Sequence, residues 1–551
     1  MAVRPGDVET GISFFQKFGL GLVGIFYVAS VVHVYFLGPG KVTFNPDVKV
    51  LHLAHSQMQE GYREGFEEMI RRFETLQAGK GVRVKVIQTV IPSRGYEQWM
   101  ITQLVSGEPA DVLANPDEGE VRFNYFHPLS PYVGKPNPFN QGTPLDGIPW
   151  RDTFIDNMEG AFDRWYADYF GVGTSFSVYR VHANADLVEK ATGSRRMPET
   201  FSEWMAICQK LKDYGHRIGE PIIPIGVDGM TRATLNYLWE HYYCQTNGNI
   251  LDDYSRFCDG LARHVDIQQG LDNGSIDPDR YAAAADILRE MGQYFMDGFT
   301  SVDSTQIMYL FSSGKVGFLP GHSAISYSIQ RNSDFEVAIF PMPPIRGHPR
   351  YGKYFTGPRS EAGMRVDGPF GIPLDCKNFD LALELLQFMT SYEMNQLTMD
   401  ACNWPPAVKF AQFKGFVKAF EPETGGNIAV WAPTFIDWAW TSHRKRNEVL
   451  EDIIQNNRRN AQEFFVRGVH AYAHVMINEL KERLIANLRG YVMREGLRSQ
   501  LLVGQWQTNL TAPERERLVY RSRLAYEDFT ERVMWNFVDE AFLEELDRMQ
   551  R

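Results

Sequence analysis

Cysteine is scarce in this chain, five in 551 residues, and no two of them form a CxxC pair. Zinc ribbons and thioredoxin-like redox sites need that spacing, so neither is expected. Basic charge is also short. The formal net charge is −12, whereas nucleic-acid binders carry a basic face, so no nucleic-acid partner is expected. The catalytic signatures are missing as well: there is no Walker loop and no G-x-S-x-G elbow. His470 and His474 stand one helical turn apart, but Ala471 occupies the place where a zinc protease needs Glu. His52 and His55 make HxxH, yet positions i and i+3 of a strand point to opposite faces. No catalytic residue, metal site or cofactor follows from these patterns, and the chain is not expected to be an enzyme. Carboxylate pairs for glycoside cleavage meet only in three dimensions, so a glycan-acting enzyme stays open as a lesser alternative.

What is present is an ordinary globular balance: 44% hydrophobic, 23% charged and 13% aromatic residues. That composition supports a folded core and a chain of two or more domains. The aromatics suit both a large core and a cleft that stacks on flat ligand faces. Cys244 and Cys258 flank a Gly- and Asp-containing loop and could bridge in an oxidising compartment, although buried free thiols are the plainer reading.

One run is long enough to cross a bilayer: residues 18–37, FGLGLVGIFYVASVVHVYFL. It is longer than the apolar region of a secretory signal, lacks an A-x-A cleavage pattern, and has no cysteine to serve as a lipid acceptor. An uncleaved single-pass anchor is expected there, with residues 1–17 as the cytoplasmic N-terminus and a cleaved signal as the alternative. Arg4 and Lys17 on one side and Lys41 and Lys49 on the other leave the orientation open. Gly19-Leu20-Gly21-Leu22-Val23-Gly24 matches GxGxxG, but inside an apolar span it lacks the strand and helix context of a dinucleotide site.

From residue 48 the pattern changes. Residues 48–54 (VKVLHLA) read as a strand. Phe66, Met69, Ile70 and Phe73 fall on one helix face, and Val82, Val84 and Val86 alternate as a second strand. Residues 96–105 form a helix stopped by Gly107, and residues 110–114 a third strand. This β-α-β-α-β order predicts a parallel sheet with helices on its faces. Ligands bind such sheets beyond the carboxyl ends of the strands. Helices are expected over 187–191, 201–211, 281–295 and 380–390, and strands over 221–227, 316–319 and 335–340.

Seven local patterns follow one another over residues 48 to 410. Tyr96-x(10)-Gly107-Glu108-Pro109-Ala110-Asp111-Val112 is similar to a helix ending in "SG-x-P-D-V", with Ala110 inserted. Tyr169-Phe170-Gly171-Val172-Gly173 is similar to "YGVP", with Gly173 in place of Pro. Val178-Tyr179-Arg180-Val181-His182-Ala183-Asn184 stands where "LYYNKDLF" is expected. Pro198-Glu199-Thr200-Phe201-Ser202-Glu203-Trp204 is similar to "P-x-TWDE", and Phe311-Ser312-Ser313-Gly314-Lys315-Val316-Gly317-Phe318 to "F-x-x-GKAAM". Pro341-Met342-Pro343 matches "PLP". Residues 382–393 (ALELLQFMTSYE) are similar to "A-x-x-FLKFLTS-x-E". In this order the patterns resemble the sugar-type solute-binding proteins of ABC importers, the group that includes maltose-binding protein.

The resemblance implies an α/β, two-lobed periplasmic-binding-protein fold (type II-like) over residues 41–440, with a hinge and a ligand cleft between the lobes. It also implies an extracytoplasmic body, periplasmic or extracellular, carrying a mono- or oligosaccharide to the permease subunits of an ABC importer. Sugars offer hydroxyls at the ring edge and C–H groups on its faces, so aromatic planes and polar side chains are sought. Trp404, in Cys402-Asn403-Trp404-Pro405-Pro406, falls where the family has a ligand-facing loop. Packing against the proline pair is its other reading. Trp239 and Tyr242, in LNYLWEHYYC, are further candidates, with core packing at least as good a reading for Tyr242. His322 and Ser323 follow the 316–319 strand, and Thr174, Ser175 and Phe176 follow the GVG turn near the expected lobe crossing. His55 and Gln57 follow the first strand, and Asn115 and Glu118 the third. For each polar turn residue simple solvation is the competing reading.

Residues 441–551 are expected to form a helical extension. Phe465, Val469, Tyr472, Met476, Leu480, Leu484, Leu488 and Tyr491 make a helical stripe, and Thr511-Ala512-Pro513-Glu514 resembles a capping box. Those helices pack on the second lobe or serve as a docking surface, the latter making the chain a tethered sensor or scaffold.

Overall fold

The fold is that of a computed structural model. Its described residues run from 48 to 428, except 57–60, 115–118, 159–160, 164–167, 231–232, 254–272, 362–365, 368 and 424, with isolated positions between 503 and 548. The expected anchor at 18–37 lies outside the described residues, as does the helical extension apart from those isolated positions. Among the described residues no helix is long and apolar enough to cross a membrane. The chain divides into two compact units, residues 1–50 with 74–85 and residues 51–73 with 86–551. In the first, Lys85 pairs with Glu74 at 3.1 Å. The second contains all the site residues considered below.

The chain opens with β1 (Val48–Ser56), α1 (Tyr62–Gly79), β2 (Arg83–Ile91), α2 (Ser93–Ser106) and β3 (Val112–Ala114), the β-α-β-α-β order that the hydrophobic pattern predicts. Leu51 and Leu53 of β1 are fully buried while His52 between them is exposed, the alternation of a pleated strand; at Ala54 and His55 the strand is buried on both faces. The stripe of Phe66, Met69, Ile70 and Phe73 is the buried face of α1. Gly107 ends α2 in the left-handed conformation, φ 73°, where a side chain would be strained. Asp111 accepts the His52 amide at 2.8 Å, which ties the entry of β3 to β1.

A second group follows: β4 (Tyr179–Asn184), α3 (Ala185–Thr192), α4 (Phe201–Ile218), β5 (Ile223–Ile225), α5 (Ala233–Asp253), α6 (Pro278–Gly292), α7 (Ser304–Ser312), β6 (Val316–His322) and β7 (Val337–Phe340). Its sheet runs β7-β4-β6-β5, with β5 and β6 parallel and the other pairs antiparallel. Helix starts are capped by local side chains. Asn184 accepts the Leu187 amide and Thr200 the Glu203 amide, while the Glu203 carboxylate reaches back to the Glu199 amide at 2.9 Å. Trp204, Cys208, Leu211, Tyr242, Ile287 and Phe318 meet in the core between sheet and helices. Gly226 lies at a close approach of the neighbouring layer: a Cβ there would come within 2.9 Å of both Ile307 and Val316.

The chain then returns to the first group as β8 (Phe370–Gly371), α8 (Phe379–Met389) and α9 (Tyr392–Cys402). β8 joins the first sheet antiparallel to β3, giving the order β8-β3-β1-β2, in which β1 and β3 are parallel. The result is two lobes, each built on a four-stranded sheet, with three chain segments running between them. In the first segment Val172 and Phe370 exchange backbone hydrogen bonds of 2.9 and 2.8 Å. Ser175–Phe176 pairs antiparallel with Val366–Asp367, and Ser175 also bridges Pro406. After the third segment the chain lies along the second lobe, where Asn427–Ile428 pairs with Arg359–Ser360.

Candidate functional site

The registers show where each lobe turns its strand ends. Phe370, which follows directly on the Val366–Asp367 crossing, pairs with Ala114 at the carboxyl end of β3. Tyr179, which follows directly on the Ser175–Phe176 crossing, pairs with His322 at the carboxyl end of β6. In both lobes the edge that α/β sheets use for ligands therefore borders the crossing segments.

On the first lobe this edge carries His55, Tyr62 and Trp404. His55 is buried, with Nδ1 2.7 Å from the Ser56 carbonyl and Nε2 2.8 Å from the Gln88 amide nitrogen. Burial holds its pKa below the usual histidine value, so the ring is neutral and presents one donor and one acceptor. The Tyr62 ring lies 5.4 Å from His55 and 5.0 Å from Trp404, and its hydroxyl is 3.1 Å from that of Thr174. Three sequence candidates, His55, Thr174 and Trp404, are thus gathered around Tyr62. Trp404 packs on Tyr62, and its buried indole N–H has no acceptor among the described residues. Tyr96, from α2, donates to the Ala114 carbonyl at 2.7 Å and so fixes the end of β3.

On the second lobe the edge carries Tyr179, Tyr237, His322 and Ser323. Half-buried Tyr179 and buried Tyr237 stack at 3.8 Å with 13° between their planes, and His322 meets Tyr179 edge-on at 5.8 Å. Behind them the Arg359 guanidinium lies 4.9 Å over the outer face of Tyr237. Burial pushes the Tyr237 hydroxyl up to about 12, so it remains a neutral donor. Ser323 is turned to the backbone of the first crossing: its amide donates to the Val178 carbonyl at 2.8 Å. Ser175 and Phe176 lie in that crossing, both buried.

Two candidates lie elsewhere. Trp239 and Tyr242 point into the core of the second lobe and not to its edge: Trp239 stacks on Tyr243 at 5.7 Å, and the Tyr242 hydroxyl donates to the Pro343 carbonyl. The residue of this helix that reaches the edge is Tyr237, two positions before Trp239. Gln57, Asn115 and Glu118 lie outside the described residues. Cys244 is a buried free thiol, and Cys258 lies outside the described residues.

A comparison with curated proteins finds no match. Among solved structures the fold is similar to the apo form of RafE from Streptococcus pneumoniae, 18% identical over 76% of this chain and 97% of that one, with a TM-score of 0.49. It is similar to the GacH receptor of Streptomyces glaucescens at 12% identity, over 77% and 98% of the two chains, with a TM-score of 0.49. A sugar transporter from Bacillus licheniformis in complex with stachyose matches at 14% identity, over 76% and 98%, with a TM-score of 0.46. The family model "Bacterial extracellular solute-binding protein" matches residues 56–396, more than half of the sequence and both lobes, and the chain belongs to that family.

Proposed function

We propose that the protein captures a carbohydrate between its lobes, outside the cytoplasm, and delivers it to an ABC-type importer while tethered through residues 18–37. The observation that carries this reading is the stacked Tyr179–Tyr237 pair at the carboxyl edge of the second lobe, with His322 beside it. A half-buried ring backed by a second ring is a stiff platform for the C–H face of a pyranose, and the neighbouring imidazole supplies polarity for hydroxyls at its rim. The neutral His55 and the Tyr62–Trp404 pair give the first lobe the same mixture. The tether is supported by the length of the apolar run and its lack of a cleavage motif, and the importer by the ordered sequence patterns.

Thermal-shift titration of the full chain with a panel of neutral and charged mono- and oligosaccharides tests the reading. At least one sugar should raise the melting temperature in a saturable way, with scattering curves that contract on binding. A full panel without a shift would refute the assignment.

A further inference from the structure

We infer that Tyr62 and Ser323 are positioning residues that grip the first crossing segment from opposite lobes and confine its bending to residues 175–177. This deepens the binding-protein reading, on which its purpose rests.

The grip from the first lobe closes on Thr174. Its hydroxyl lies 3.1 Å from the Tyr62 hydroxyl at the start of α1, and its carbonyl accepts from Asn395 Nδ2 of α9 at 2.7 Å. The same Asn395 accepts the Ala407 amide through Oδ1 at 2.9 Å, which holds the third crossing to the same helix. All of these groups are buried, so water does not compete for them. The grip from the second lobe closes on Val178. The Ser323 amide donates to the Val178 carbonyl at 2.8 Å, and the Ser323 hydroxyl lies 3.4 Å from the Val178 amide; its 3.5 Å separation from the Phe176 carbonyl is too long to hold that residue.

Ser175, Phe176 and Ser177 lie between the two grips. Ser175 and Phe176 pair with Val366–Asp367 and with Pro405 and Pro406, which are parts of the other crossings. Ser177 is half-buried within a run of buried neighbours. A rotation of one lobe on the other must be absorbed where the chain belongs to neither, and here that stretch is three residues long. Tyr62 also touches the ligand candidates, with its ring against both Trp404 and His55. A ligand that displaces either ring therefore acts on Tyr62, and through its hydroxyl on the end of the hinge.

The test needs no ligand. Nitroxides are placed through ketone-bearing amino acids at Val105 in α2 and Tyr309 in α7, both well exposed, one on each lobe. Pulsed electron resonance on the full chain then gives the interlobe distance distribution. Y62F should broaden that distribution beyond the wild type, and S323A, which keeps the 2.8 Å amide bond and loses only the hydroxyl contact to the Val178 amide, should broaden it less. T174V should behave as Y62F, and T174S, which keeps the hydroxyl, as the wild type. Y351F is the control: it removes a buried hydroxyl that donates to Asp286 at 2.8 Å inside the second lobe, so it should lower the melting temperature and leave the distribution unchanged. The inference is overturned if Y62F and S323A lose stability as Y351F does while keeping the wild-type distribution, or if T174V matches wild type. Failure of every carbohydrate to bind would remove the sugar assignment and leave this result standing.

Discussion

Glu361→Gln is the most informative single change outside the site, because its effect follows from a closed set of hydrogen bonds. Arg180 of β4 is almost fully buried, and each of its five N–H groups has an acceptor. Nε donates to the Ala419 carbonyl at 2.7 Å. Nη1 donates to the Tyr179 carbonyl at 2.7 Å and to Glu361 Oε1 at 2.5 Å. Nη2 donates to Glu361 Oε2 at 3.1 Å and to the Glu421 carbonyl at 2.8 Å. Glu361 in turn accepts the Glu423 amide at 2.7 Å, and its own amide donates to the Glu423 carbonyl. The pair thus fastens residues 419–423 to the second lobe. Glutamine has the shape of glutamate but no charge, and its NH2 would face a guanidinium. Removing one partner of a buried pair typically costs about 3–5 kcal/mol, since the other charge stays buried. Three neutral carbonyls remain on Arg180, which puts the expectation at the lower end, about 3 kcal/mol. Urea unfolding followed by circular dichroism should show a midpoint lower by about 1 M, for a slope near 3 kcal/mol/M. Amide exchange in residues 415–423 should accelerate in parallel. A variant within about 0.5 kcal/mol of wild type, the scale of an ordinary surface substitution, would refute the claim that this ion pair holds the segment down.

Three further outcomes are expected. Tyr237→Ala removes the ring that backs Tyr179 and should weaken binding of whichever carbohydrate gives a thermal shift by about tenfold, the scale of one aromatic contact; calorimetric titration measures it, and an unchanged affinity would exclude the stacked pair from the site. Gly65→Ala would place a Cβ 2.5 Å from Cys402 Sγ and 2.9 Å from the Thr398 carbonyl, where α1 meets α9. It should destabilise by about 1–3 kcal/mol although alanine favours helices, and Cys402→Ala should recover only part of that in a melting experiment. Burial lowers His182 to about 4 and His241 to about 3 from 6.5, so the unfolded chain takes up protons first as pH falls. Their contribution is complete above pH 6.5 and is lost toward pH 4, with about 2 kcal/mol gone for each by pH 5. His182→Asn should flatten that slope in urea melts at pH 7 and pH 5, and an unaltered slope would count against it.

The elements of the first lobe are legible because their signals are local. A two-residue alternation in β1 and a stripe at i, i+3, i+4 and i+7 in α1 each require only neighbours in sequence, and Gly107 ends α2 within one helical turn. The joining of β8 to β3 is not legible in the same way. Phe370 and Ala114 are far apart in the chain, and a two-residue strand carries too little pattern to be noticed. Spacing predicts the parallel β-α-β core, whereas it carries no sign of the antiparallel strand that returns from the other lobe.

The site shows the same division more sharply. Carboxyl ends of strands can be located from sequence, and His55 and His322 lie at such ends. Choosing a residue on α5 required a helix with distinguishable faces, and α5 has none: Leu235, Tyr237, Leu238, Trp239, Tyr242 and Tyr243 are all buried. Periodicity identifies the exposed side of an amphipathic helix but cannot rank positions on one that is buried all round. Tyr237 is distinguished only by Tyr179, which reaches it because β4 starts immediately after the crossing and takes its register from His322. The hinge grips have the same origin. A tyrosine, a threonine, an asparagine and a serine are unremarkable in sequence, and they become a clamp only where two lobes hold one strand. In a two-lobed chain the contacts that join the lobes are those farthest apart in sequence, so the sequence announces the family well before it discloses how the lobes are joined.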